Sequence, residues 1–104
     1  MSLKYLEFDL SEDTDGLGTW DALASPAAQH THALLAEVLA LTQELTRMLG
    51  PAGPIEEGHL WDLDLQIQDE SGQALPLQLD ASYCGRLTLA LSLTGGAELA
   101  QCLN

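Results

Sequence analysis

The sequence predicts an α+β fold of two layers, with a mostly antiparallel four- or five-stranded sheet packed on one long helix. The expected order is β-β-α-β-β-β-α, closing on a short C-terminal helix. Three observations carry this expectation: strict apolar/polar alternation in the first and last thirds of the chain, a long stretch of three-and-four apolar spacing between them, and turn residues at the junctions. The chain of 104 residues fits a single domain spanning 1-104, and 46% hydrophobic residues suffice for a core without metals or disulfides.

From Lys4 to Leu10 the pattern alternates, with Leu6, Phe8 and Leu10 on one side and Tyr5, Glu7 and Asp9 on the other. This is the period of a half-buried strand. The polar stretch from Ser11 to Gly16 interrupts it, and its Asp15-Gly16 pair signals a turn. Thr19 to Ala24 returns as a second strand with Trp20, Ala22 and Ala24 inward, or leads into the helix. Ser25-Pro26 reads as an N-cap followed by proline at the first helical position. The helix beyond it runs to Leu49, with Leu34, Val38, Leu41, Leu45 and Met48 on one stripe. Gly50-Pro51 stops it. About 24 residues at ~1.5 Å each give a length of roughly 36 Å, enough to cross a sheet.

Three alternating runs follow. Trp61, Leu63, Leu65 and Ile67 oppose Asp62, Asp64, Gln66 and Gln68; Leu75, Leu77 and Leu79 oppose Pro76, Gln78 and Asp80; Leu87, Leu89, Leu91 and Leu93 oppose Arg86, Thr88, Ala90 and Ser92. Short turns between them predict an antiparallel meander with one wet face. Pro76 cannot donate to a ladder, so its strand belongs at an edge or bulge. Gly95 to Leu103 reads as the closing helix, with Leu99, Cys102 and Leu103 inward.

Charge is the unusual feature. Sixteen acidic side chains face only Lys4, Arg47 and Arg86, a formal net charge of −13. That balance argues against nucleic acid, whose binding rests on Lys and Arg displacing counterions, and against anionic membranes. It favours solubility, basic proteins and divalent cations. No run approaches the ~20 apolar residues of a membrane span. Glu7 and Asp9 interrupt the stretch where a signal peptide needs apolar residues, so the expected location is cytoplasmic. There Cys84 and Cys102 are expected as thiols, and their spacing carries no zinc signature.

With the registers above, the wet face presents Glu7, Asp9, Asp21, Asp62, Asp64 and Asp80, with Arg86 as its one base. Like charges opposite one another weaken a sheet, so such a face is solvated, matched by something positive, or holds an ion. Solvation is the simplest account and a docking surface for a basic protein the next. A divalent cation on Asp62 and Asp64 is the third, weakened because His59 falls on the opposite face. Paired carboxylates also suit acid–base chemistry, since one raises the other's pKa, but no substrate is indicated.

The other motifs read more simply as structure. Asp13, Asp15 and Gly16 resemble part of a calcium loop, but Ser11 and Ala22 stand where its first and last acidic ligands belong. His30 and His32, about 200° apart around a helix, cannot grip one ion. Cys84 beside Arg86 gains some nucleophilic character but fits an ordinary turn. Gly95-Gly96 lacks the cations of a phosphate site. The function itself is not legible. The leading expectation is an acidic, non-enzymatic binding or assembly protein that forms a homo-oligomer through a strand edge or the helix, with no cofactor. A small metal-dependent enzyme or ion-binding module on the carboxylate face is the alternative.

Overall fold

The structure, a computed structural model, describes residues 3–75 and 86–103. It is an α+β arrangement of β1 (Asp9–Glu12), β2 (Gly18–Ala24), helix α1 (Thr31–Leu49), β3 (Trp61–Asp69), β4 (Leu87–Gly95) and helix α2 (Ala97–Leu103). The four strands form one antiparallel sheet in the order β1-β2-β4-β3.

Alternation sorts the sheet as the sequence predicts. Trp20, Ala22 and Ala24 of β2 lie opposite Leu93, Leu91 and Leu89 of β4, which lie opposite Leu63, Leu65 and Ile67 of β3. This inner surface packs on Leu34, Leu35, Val38, Leu41 and Leu45 of α1, with Leu99 of α2 closing one end. α1 covers the apolar layer because its leucines recur at three- and four-residue spacing, which keeps them on one stripe. It ends at Gly50, whose φ of 84° lies in the region that favours glycine. The indole Nε1 of buried Trp61 donates to the Gly50 carbonyl at 2.8 Å, tying the helix end to β3.

Gly95 has a packing role rather than a phosphate-binding one. A Cβ there would lie 2.8 Å from Leu99 Cβ and 2.9 Å from the Leu60 carbonyl oxygen, so only glycine lets α2 and the chain before β3 approach so closely.

Four expectations are corrected. The first strand is not Lys4 to Leu10 but Asp9–Glu12. The segment before it leaves the sheet because the Glu37 carboxylate captures the backbone amides of Lys4, Tyr5 and Leu6. Ser25 does not cap the long helix: a 3-10 turn at Ala28–His30 precedes α1, and no side chain caps either element. β3 and β4 pair directly along nine residues, so no strand separates them as a meander through 75–79 would require. Of that middle run only its start is described. Leu75 donates its amide to the Ile67 carbonyl at 2.8 Å, and Ala74 bridges Gln68 on the flank of β3 away from β4. Pro76, Leu77, Leu79, Asp80 and Cys84 lie outside the described residues. Finally, Leu10 reaches the expected inner side opposite Trp20 but stays 50% exposed, at the rim of an open cleft that it lines with Trp20, Ala97 and Ala100.

Candidate functional site

The outer face of the sheet carries no helix among the described elements, and pairing register decides what it displays. Asp9 of β1 lies directly opposite Asp21 of β2, Asp21 opposite Ser92 of β4, and Ser92 opposite Asp64 of β3. Three carboxylates and one hydroxyl therefore form a row across all four strands. Directly opposed side chains have Cβ atoms about 5 Å apart. Asp21 and Asp64, two strands apart, are separated by about 10 Å.

The hydroxyl of Ser92 donates to Asp21 Oδ1 and is the one hydrogen-bond donor the row supplies to that carboxylate. Asp62 lies one step along β3, opposite Thr94, half-buried, with Oδ1 accepting the amide of Leu63 at 2.8 Å. Glu7 is exposed just before β1. The predicted face is thus assembled at Asp9, Asp21, Asp62 and Asp64, while Glu7 lies in the segment before the ladder and Asp80 falls outside the described residues.

The sequence's three basic side chains are placed elsewhere. Lys4 lies over the Tyr5 ring at 5.7 Å, on the segment bound to α1. Arg47 pairs with Glu44 along α1, and the Arg47 hydrogen bond holds that carboxyl below its ordinary range. Arg86 shares the outer-face parity, but it stands six residues from Ser92, about 20 Å along the strand. Its guanidinium donates to the Ser25 carbonyl at 3.2 Å. No base therefore stands within the carboxylate row.

Beside the row lies an apolar spot that the sequence reading missed. Leu23, two residues from Asp21 on the same face, is 74% exposed, with Ala90 opposite it on β4. It was legible in principle, since Leu23 sits at an outward position of the predicted strand.

The remaining motifs resolve into local structure. Asp13 Oδ1 accepts the amides of Asp15 and Leu17, so this loop spends its carboxylate on its own backbone. The His59 ring packs over Gly53, and its Nδ1 lies 3.1 Å from the Pro51 carbonyl. His30 Nδ1 faces the Tyr5 hydroxyl at 3.4 Å, and His32 is exposed. Cys102 is a half-buried free thiol against the core. Among the described residues, no group of three or more His, Cys, Asp or Glu is gathered as a metal ion needs. No helix among them is long and apolar enough to cross a membrane. Comparison with known proteins returns no matching family model, no matching curated protein and no matching solved structure.

Proposed function

We propose that this chain is a small cytoplasmic binding domain rather than an enzyme, and that the sheet face left uncovered by the described residues docks a basic protein segment. The observation that supports this reading is the row Asp9, Asp21 and Asp64 with all three Lys and Arg side chains outside it. Asp9 opposite Asp21 is a like-charge pair, which costs the free sheet stability that a positive partner restores. Leu23 supplies apolar contact next to the charges. A fitting ligand has cations about 10 Å apart, matching Asp21 and Asp64, and an apolar side chain between or beside them. An extended segment with a basic residue at every fourth position and an apolar residue midway between presents both on one face, its cations about 13 Å apart along the backbone and brought to the carboxylates by flexible lysine side chains.

The test uses a synthetic peptide of Lys-Ser-Leu-Ser repeats, which puts Lys and Leu on one face, and measures its affinity for the intact chain and for Asp9→Asn/Asp21→Asn/Asp64→Asn. The variant is expected to bind at least tenfold more weakly. Binding to the native chain should fall as ionic strength rises from about 0.1 M to about 1 M, because the screening length shrinks from about 10 Å to about 3 Å. Equal affinity for the two proteins overturns the reading.

A further inference from the structure

The segment ahead of β1 crosses α1 without joining the sheet. Its successive amides converge on one side chain: Lys4 donates to Glu37 Oε1, while Tyr5 and Leu6 donate to Oε2 at 2.8 and 2.9 Å. Such a run of N–H groups around a carboxylate is an anion-binding nest, filled here from within the chain. Leu6 enters the core at 5% exposure. No strand pairing holds residues 3–8, and the ladder begins only at Asp9. An apolar groove stays open beside the segment, walled by Ala33, Ala36 and Ala40 of α1. The seat thus consists of a carboxylate clamp for extended backbone, a leucine pocket and an unfilled wall.

We infer that a second copy's Leu3–Leu6 segment can take this seat, so that two chains associate by exchanging it. The incoming segment is chemically identical to the one displaced, so every hydrogen bond to Glu37 and the Leu6 contact are re-formed, which is what makes exchange of an identical element a low-cost route to a dimer. The Leu6 anchor stands three residues from Asp9, a span of up to about 10 Å when extended, so exchange brings the starts of the two β1 strands side by side. The limit is set by the tether: a short linker holds the chain's own segment at an effective concentration in the millimolar range, so exchange grows as the protein approaches it. Two chains each carrying −13 repel, and added salt therefore promotes exchange. That sign is opposite to the one expected for a basic partner on the sheet face. The inference does not rest on the reading of that face.

The test places a nitroxide label on Lys4→Cys in a chain also carrying Cys84→Ser and Cys102→Ser. It is mixed with the isotope-labelled native chain, whose amides at Ala33, Ala36 and Ala40 report an incoming segment. Broadening at these positions is expected to rise severalfold between about 50 µM and about 1 mM, bracketing the effective concentration of a short tether. It should rise again with salt and disappear when the isotope-labelled chain carries Glu37→Ala. The near-isosteric Glu37→Gln, which removes only the charge, is expected to reduce it and serves where the alanine variant fails to fold. No intermolecular broadening at the highest concentration overturns the inference, and so does broadening that neither Glu37 variant changes.

Discussion

Removing either member of the Asp9–Asp21 pair should stabilise the protein, whereas most substitutions destabilise. The two residues are direct cross-strand partners and both are exposed. With carboxylate charges about 5.5 Å apart, the repulsion in water-like surroundings is about 0.75 kcal/mol. Screening at physiological ionic strength, with a length of about 8 Å, halves it to about 0.4 kcal/mol. At 0.01 M the same pair costs about 0.6 kcal/mol, and at 1 M about 0.1 kcal/mol. Asparagine preserves shape and can still accept the Ser92 hydroxyl at position 21, so Asp21→Asn isolates the charge. The assay is a double-mutant cycle of Asp9→Asn and Asp21→Asn by urea unfolding at the three ionic strengths. Each single variant should gain about 0.4 kcal/mol at physiological salt, roughly 2 °C in Tm. The double variant should gain less than their sum, since both relieve one repulsion. Glu56→Gln, an exposed acid on the 3-10 turn Ile55–Glu57, serves as control and should gain less. A loss of stability in the single variants, or a coupling that does not change with salt, refutes the reasoning.

Two further predictions follow from local geometry. Gly95→Ala should cost about 1–3 kcal/mol in unfolding experiments, because its Cβ meets backbone and Cβ atoms that cannot swing away. Gly96→Ala, whose Cβ would meet only Glu98 Oε2 at 3.6 Å, should be near neutral. At the end of β3, the Asp69 carboxyl is held below its ordinary range by the Ser71 hydroxyl and then the Gln73 amide. A lowered native pKa means its contribution is fully present above the unfolded value of about 3.9 and is lost as pH falls through the native one. The Tm difference between native chain and Asp69→Asn should therefore be flat at neutral pH and shrink on acidification. A difference that grows toward low pH contradicts this.

Most of the fold was legible where one physical preference acted alone. Alternation placed Trp61 and Ile67 of β3 and Leu87, Leu89, Leu91 and Leu93 of β4 on the buried face, and the leucine stripe with Gly50 marked the body and end of α1. Reading failed where two preferences competed. Leu6, Phe8 and Leu10 alternate like a strand, yet Glu37, more than 30 residues away, offers the Lys4–Leu6 amides a stronger acceptor than a ladder partner. No local pattern reveals such a contact. Strand order was hidden for a similar reason, since alternation says which face a side chain takes but not which strand lies next. The outer-face acids were legible as a set, but their row became visible only through the pairing of Asp9 with Asp21 and of Ser92 with Asp64.

Amide chemical-shift mapping of the intact chain, titrated with the Lys-Ser-Leu-Ser peptide, tests the central claim most directly. The account predicts shifts concentrated at Asp9, Asp21, Leu23, Asp64 and Ser92, with α1 unchanged. Shifts centred on Ala33, Ala36 and Ala40 of α1, or none at saturating peptide, would contradict it.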